Sequence, residues 1–406
     1  MSAAVPAPNS APADRVSRRL HQVQDPVIPI VAGLMRAHPG TISLGQGVVH
    51  YPPPPAALAA AAAFGHRAAD HHYHAAAGLP PLIEALHAKL QRENQVRVGA
   101  DQVILVTAGS NMAFSHCLMA IADPGDEVVL MSPYYFNHAM AAQMANVRPV
   151  LAPTDAAAQP DLAAVEAALT ARTRAVVTIS PNNPAGVVYQ PERLRAINAL
   201  CRDRGLFHIS DEAYEYFTYD GHAHFSPGSL ADAGSHTISL YSFSKGYGMA
   251  SWRVGYLVAP RSLLTALEKI QDTVLICAPA ACQHAALGAL SVGPDYCRGY
   301  LAGIARNRDL CRQRLAELGP RCRVTDSSGA FYLLLRLGSP WPAMELVQRL
   351  IRDHRVAAIP GDAFGLEAGC WLRIAYAALP PDDLERGLDR LVQGLDCLLP
   401  EGLQTP

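Results

Sequence analysis

The amino-acid sequence predicts an α/β protein: a large domain with a mostly parallel sheet between helices, followed by a smaller α+β domain. Three observations predict it. Between about residues 80 and 260, short runs rich in Val, Ile and Leu alternate with segments of helical periodicity, the pattern of a sheet covered by helices. Near residue 295 the alternation gives way to one long helical stretch. The chain has 406 residues, half of them hydrophobic, more than one core ordinarily organises.

Residues 1–14, rich in Ala, Pro and Ser, read as a flexible tail, and 15–50 as an N-terminal segment that packs with the small domain. The large domain is expected over 51–295 and the small one over 296–406. Pro52 to Pro55 should be extended, because each proline drives its predecessor out of the helical region. Residues 82–93 carry a helical pattern. VILVT at 103–107 reads as a strand, followed by a helix from Met112 that stops at Asp123-Pro124-Gly125. Further strands are expected at 127–131, 175–179, 206–209, 237–241 and 255–258, with helices at 161–170 and 191–204. The helix beginning near 295 should hold Arg306, Arg308, Arg312 and Arg314 on its polar side. No internal repeat is present.

A formal net charge of -2 gives no electrostatic reason to expect nucleic acid or an acidic membrane as partner. A small neutral or zwitterionic substrate fits better. The nine cysteines lack a C-x-x-C pair, so neither a disulfide framework nor a zinc ribbon is indicated. The histidines of HHYH at 71–74 are adjacent and share no helix face, so no metal is expected there. The opening residues lack the pattern of a secretory signal and no apolar run is long enough to span a bilayer, so a cytoplasmic location is expected.

The lysines are Lys89, Lys245 and Lys269. Lys89 and Lys269 fall on polar faces of helical patterns. Lys245 instead ends an apolar strand within YSFSKGYG, where flanking small and aromatic residues describe a pocket lining. A lysine desolvated there becomes a nucleophilic amine suited to Schiff-base chemistry. Asp211, in DEAY with Tyr214, lies at another strand's end, where parallel α/β sheets bind ligands. SPNNPAG at 180–186 is a turn-rich loop after a third strand. TAGSNM at 107–112 joins a strand to a helix start, and free backbone N–H groups there favour an anion.

In order and spacing, SFSK-x(7)-R-x-G, DEAY and NNPAG resemble the class I, aspartate-aminotransferase-like, fold-type-I enzymes that use pyridoxal 5'-phosphate. The likeness runs from SLGQG near 43 to WLRIAYA at 371–377. It implies that Lys245 carries the cofactor as a Schiff base and that Asp211 pairs with the pyridine nitrogen. Tyr214 and Asn183 would meet the phenolic oxygen. Gly109, Ser110 and Asn111 would cup the phosphate with Ser242, Ser244 and Arg253, and Tyr135 would stack on the ring. Tyr73 resembles a tyrosine that reaches the phosphate of a neighbouring subunit, which implies a homodimer with shared active sites. Arg373 would clamp the substrate α-carboxylate, with Gly45 and Asn183 beside it. SPNNPAG departs at its first, third and sixth places from the commoner N-P-H-N-P-T-G, leaving Asn183 in place.

The activity implied is aminotransfer from an L-amino acid to a 2-oxo acid by a ping-pong mechanism. Tyr51, Tyr73, Tyr135 and Phe364 would favour a neutral or aromatic side chain. The same lysine, aspartate and arginine would also serve a lyase or an amino-acid oxidase on this scaffold. A cofactor-sensing transcription regulator would need a basic DNA-binding module, for which the residues before 43 are too few and too rich in Pro and Ala.

Overall fold

A computed structural model describes residues 16–400, so the expected tail at 1–14 lies outside the described residues. The main sheet has seven strands in the spatial order Gln102–Thr107, Gly255–Pro260, Thr237–Ser242, Phe207–Asp211, Thr173–Ile179, Glu127–Ser132 and Arg148–Pro153. Six run the same way, and Gly255–Pro260 alone is antiparallel to both neighbours. The sheet is therefore α/β and mostly parallel, as the alternation predicted. The interior strands Glu127–Ser132, Thr173–Ile179 and Gly255–Pro260 are buried along nearly their whole length, so they read as continuous apolar runs.

One strand of this sheet and the helix before it were not predicted. Arg148–Pro153 contains Pro149 and Pro153, which argue against a strand in the sheet interior; it lies at the edge, where a missing N–H is tolerated. The helix Phe136–Met144 precedes it. The predicted helix at 191–204 is present as Pro191–Arg204. It opens with proline in its first turn and closes on Gly205 in the left-handed region at φ 66°. Pro52–Pro55 is not extended throughout, because Pro55 opens the helix Pro55–Ala62, a position where its missing N–H costs nothing.

A second, antiparallel sheet has the order Ile359–Pro360, Cys370–Ala375, Tyr332–Leu337 and Cys322–Val324. Helices Asp295–Ala316, Ala343–His354 and Pro381–Leu398 accompany it. Leu384, Leu388, Leu391 and Leu395 form an apolar stripe on the last of these and are fully buried. The short strand Ile42–Ser43 pairs in parallel with Val356–Ala357, and Ala375 N donates to Leu44 O at 2.6 Å. These bonds hold residues 42–45 against the strand that carries Arg373.

Two charged side chains expected on polar helix faces are buried instead. Lys89 is 2% exposed, on the face of Pro80–Lys89 that buries Leu82 and Leu86, and its Nζ donates to Glu215 Oε2 at 2.5 Å and Asn94 Oδ1 at 2.7 Å. Arg308 is 4% exposed and pairs with Asp220 at 2.6 Å while donating to Ser327 O at 3.1 Å. Both pay for desolvation with hydrogen-bonded carboxylates. Among the described residues no helix is long and apolar enough to cross a membrane.

Candidate active site

The site follows from the direction of the strands. Because they are parallel, the C-terminal ends of Gln102–Thr107, Glu127–Ser132, Thr173–Ile179, Phe207–Asp211 and Thr237–Ser242 share one edge of the sheet. The reversed strand starts at that same edge, just after Arg253. The loops there enclose a cleft with about 490 Å³ of empty space. All twelve of its lining positions come from those loops or strand ends: Ser110, Asn111, Tyr135, Ile179, Asn183, Asp211, Ala213, Tyr214, Ser242, Ser244, Lys245 and Arg253. The ligand crevice of a parallel sheet lies at this edge.

One end of the cleft is built for an anion. Gly109 caps the helix Ser110–Ile121 at φ 87°, a conformation that favours glycine, and a β-carbon there would collide with the Arg253 guanidinium. At Gly255 a β-carbon would stand 2.9 Å from Ser110 N and 2.7 Å from Tyr241 O, so glycine lets the helix start approach the reversed strand. Arg253 Nη1 donates to Ala250 O at 2.8 Å and reaches Ser244 Oγ at 3.5 Å; Ser244 N donates to Ser242 Oγ at 3.1 Å. Helix N–H groups, two hydroxyls and a guanidinium thus converge.

Lys245 lies partly buried between this end and Asp211, and its Nζ donates to Gly47 O. Burial of the ammonium lowers its pKa from 10.5 to about 8; the positive charges of Arg373 and Arg253 add to that, and Asp211 opposes it. Asp211, 4% exposed, has Oδ2 at 3.1 Å from His138 Nε2 and accepts Ala213 N on Oδ1 at 3.1 Å. The His138 ring stacks on Phe114 with centroids 4.0 Å apart, and its buried Nδ1 has no partner. His138 Nε2, facing a carboxylate that can only accept, is the donor of this pair.

Arg373 forms the other end. It is 2% exposed, donates from Nη1 to Asn183 Oδ1 at 2.9 Å and from Nη2 to Gly45 O at 2.7 Å, and its Nε is buried without a partner. The Tyr332 and Phe364 rings flank its guanidinium, with Cζ 4.4 Å and 4.9 Å from their centroids. No carboxylate among the described residues pairs with it. A buried, unpaired cation of planar shape is suited to an incoming carboxylate. A β-carbon at Gly45 would come within 2.7 Å of Ile359, so glycine keeps this backbone close to the strand Ile359–Pro360, which pairs with that of Arg373.

Tyr214, 6% exposed, accepts from Asn183 Nδ2 at 3.4 Å and its hydroxyl is 2.8 Å from that of Tyr332; burial raises its pKa well above 10. Tyr135 Oη accepts from Asn137 Nδ2 at 2.7 Å. Thus Ser110, Asn111, Tyr135, Asn183, Asp211, Tyr214, Ser242, Ser244, Lys245 and Arg253 are brought into one cleft, with Gly109, Gly45 and Arg373 bonded or packed against its members. Tyr73 is 84% exposed and does not line it. Tyr51, expected in the substrate pocket, is buried behind it. Its hydroxyl donates to Lys245 O at 3.1 Å and Gly246 O at 3.2 Å, and its ring stacks on Tyr300. His138 and Tyr332 were not legible in the sequence, because they lie in an unpredicted helix and in the apolar run FYLLLRL, and neither setting marks a functional residue.

Comparison with known proteins agrees with this geometry. A family profile described as aminotransferase class I and II matches residues 39–391. An aromatic aminotransferase of Arabidopsis thaliana is 34% identical over 397 residues, covering 96% of this chain and 98% of that protein. A probable aspartate/prephenate aminotransferase of Thermus aquaticus is 35% identical over 326 residues, covering 79% and 82%. The solved aspartate aminotransferase of Thermus thermophilus with maleate superposes with a TM-score of 0.84 at 30% identity, over 94% of this chain and 99% of that one.

Proposed function

Because the chain belongs to the class I and II aminotransferases, we propose that it moves the amino group of a neutral or aromatic L-amino acid to a 2-oxo acid, using pyridoxal phosphate held in the cleft described above. The observation that carries this reading is Lys245. It is an amine with a pKa lowered to about 8, in one cleft with a buried carboxylate and a helix N-terminus.

The residues fit the cofactor. Ser110, Asn111, Ser242, Ser244 and Arg253, with the Gly109 turn, would hold its phosphate, and Lys245 its aldehyde carbon. Asp211, oriented by His138, would hold the pyridine nitrogen in its protonated form, since a nearby carboxylate raises the pKa of a base. Tyr214 and Asn183 would face the phenolic oxygen, and Tyr135 the ring. Bound pyridoxal phosphate supplies an electron sink for the pair left at the substrate Cα.

The chain's residues do the rest. Arg373 takes the substrate α-carboxylate, with Asn183 and the Gly45 carbonyl fixing its fork. Lys245 Nζ, released as a free amine, removes the proton from Cα; a base with a pKa of about 8 is available for this near neutral pH. The Phe364 and Tyr332 rings beside Arg373, with Tyr135 in the cleft lining, favour a neutral or aromatic side chain. We further infer a homodimer in which Tyr73, exposed on its own subunit, reaches the partner's phosphate site.

The test is a panel of amino donors with 2-oxoglutarate or pyruvate as acceptor. Aromatic and other neutral donors should exchange at least about tenfold more efficiently than aspartate, a difference of roughly 1.4 kcal/mol. Without an acceptor, one equivalent of 2-oxo acid per site is expected. Continuous ammonia release under those conditions would instead establish a lyase or an oxidase.

A further inference from the structure

Tyr332 touches both ends of the cleft. It lies on the strand Tyr332–Leu337, next to the strand of Arg373, and is 1% exposed. Its ring lies under the Arg373 guanidinium, with Cζ 4.4 Å from the centroid. Its hydroxyl is 2.8 Å from the Tyr214 hydroxyl. The same hydroxyl packs on Gly47, where a β-carbon would collide with it and whose carbonyl accepts Lys245 Nζ. The titratable or charged groups that act on it are Arg373, Tyr214 and Tyr135.

The direction of the Tyr332–Tyr214 hydrogen bond follows from its neighbours. Arg373 Nη1 donates to Asn183, which fixes that amide with Oδ1 toward the arginine and therefore Nδ2 toward Tyr214. Tyr214 Oη is already an acceptor. Of the two phenols, Tyr332 lies against the guanidinium, and a positive charge makes a hydroxyl the stronger donor. Tyr332 then donates to Tyr214, Tyr214 accepts from two sides, and its own proton is left for the cleft.

We propose that Tyr332 is a positioning residue that links the Arg373 end of the cleft to the Tyr214 end, its hydroxyl donating to Tyr214 so that the Tyr214 proton faces the cofactor's phenolic oxygen, and its ring supporting Arg373. This rests on the cofactor placement proposed above. It makes two separable claims, one for the hydroxyl and one for the ring.

The experiment uses the holoenzyme and the variants Tyr332→Phe and Tyr332→Leu. The near-ultraviolet absorbance of bound pyridoxal phosphate titrates with pH, because the proton on the Lys245 nitrogen is shared with the phenolic oxygen. A hydroxyl donated to that oxygen stabilises the unprotonated form and lowers the midpoint. Tyr332→Phe keeps the ring and removes the hydroxyl, so the midpoint should rise by about half to one pH unit, the scale of one net hydrogen bond. KM for the amino donor should stay within about twofold. Tyr332→Leu should shift the midpoint equally and also raise KM by about threefold to tenfold, because the cation loses its ring.

A merely structural role would leave the midpoint in place. A Tyr332→Phe midpoint that coincides with the wild type overturns the hydroxyl claim. One that falls also overturns it, since it would mean that Tyr214 had been donating to Tyr332. An unchanged KM in Tyr332→Leu overturns the ring claim. If the wild-type protein binds no pyridoxal phosphate through Lys245, the cofactor placement itself fails, and that is read separately from any variant.

Discussion

Replacing Lys89 by methionine tests the largest departure from the expected helix face. Its ammonium pairs with Glu215 at 2.5 Å, donates to Asn94 Oδ1 at 2.7 Å and lies 4.0 Å from Glu93. The Tyr241 and Tyr216 rings flank it, with Nζ 4.9 Å and 5.3 Å from their centroids. Methionine is of similar length and would fill the space, so the loss is electrostatic. Glu215 would keep a single donor, Asn94 Nδ2 at 2.7 Å, in a side chain that is 10% exposed. Glu93 would keep Tyr216 Oη and Arg92.

Removing one partner of a buried pair costs about 3–5 kcal/mol, because the other charge is left uncompensated. At roughly 2 °C per kcal/mol for a chain of this size, Tm should fall by about 6–10 °C. The assay is thermal unfolding followed by circular dichroism, wild type against Lys89→Met. Lys89→Met/Glu215→Gln should recover at least about half of the loss, since it removes the stranded carboxylate. A single variant within about 2 °C of wild type would refute the reasoning, and so would a double variant that melts lower than the single.

The other predictions concern the cleft. Lys245 has a folded pKa of about 8 against an ordinary 10.5, so the unfolded chain binds more protons between those values. Its cost to stability is complete below about pH 8 and fades as pH rises toward 10.5. Cofactor-free Lys245→Met should therefore melt above cofactor-free wild type at pH 7, with a difference that shrinks by pH 10; a constant difference would refute the assigned pKa. Gly109→Ala puts a β-carbon at φ 87°, ψ 166° and into Arg253, so pyridoxal phosphate affinity, measured by equilibrium dialysis, should fall about tenfold or more, following the roughly 1–3 kcal/mol of strain in a backbone conformation confined to glycine. Arg373→Leu removes charge-assisted bonds worth about 1.5–3 kcal/mol each, so kcat/KM for every amino donor should fall at least about a hundredfold; a loss under tenfold would show that the α-carboxylate binds elsewhere.

Much of the site was legible because its residues sit at strand ends. Lys245, Asp211, Asn183 and Ser110 each follow a short apolar run. In a parallel sheet such runs end at one edge, so local sequence was enough to bring these residues together. The family motifs then pointed to a shared role. The edge strand Arg148–Pro153 was hidden because two prolines spoil its pattern, and an edge tolerates them. That Gly255–Pro260 runs against its neighbours was not visible, since an apolar run carries no direction.

Tertiary structure decided what each side chain faces. Lys89 stands at helical spacing from Leu82 and Leu86, a position on the apolar stripe, and the arrival of Glu215 from far along the chain offsets the desolvation of its ammonium. Tyr51 is turned behind Lys245 by its bonds to Lys245 O and Gly246 O. His138 and Tyr332 acquire meaning only from Asp211, Tyr214 and Arg373, which approach them across the fold. Periodicity is a property of neighbours in sequence and so determined the sheet and its working edge. Partnership between buried polar groups depends on neighbours in space, so the hydrogen bonds that orient the cleft belong to the folded chain alone.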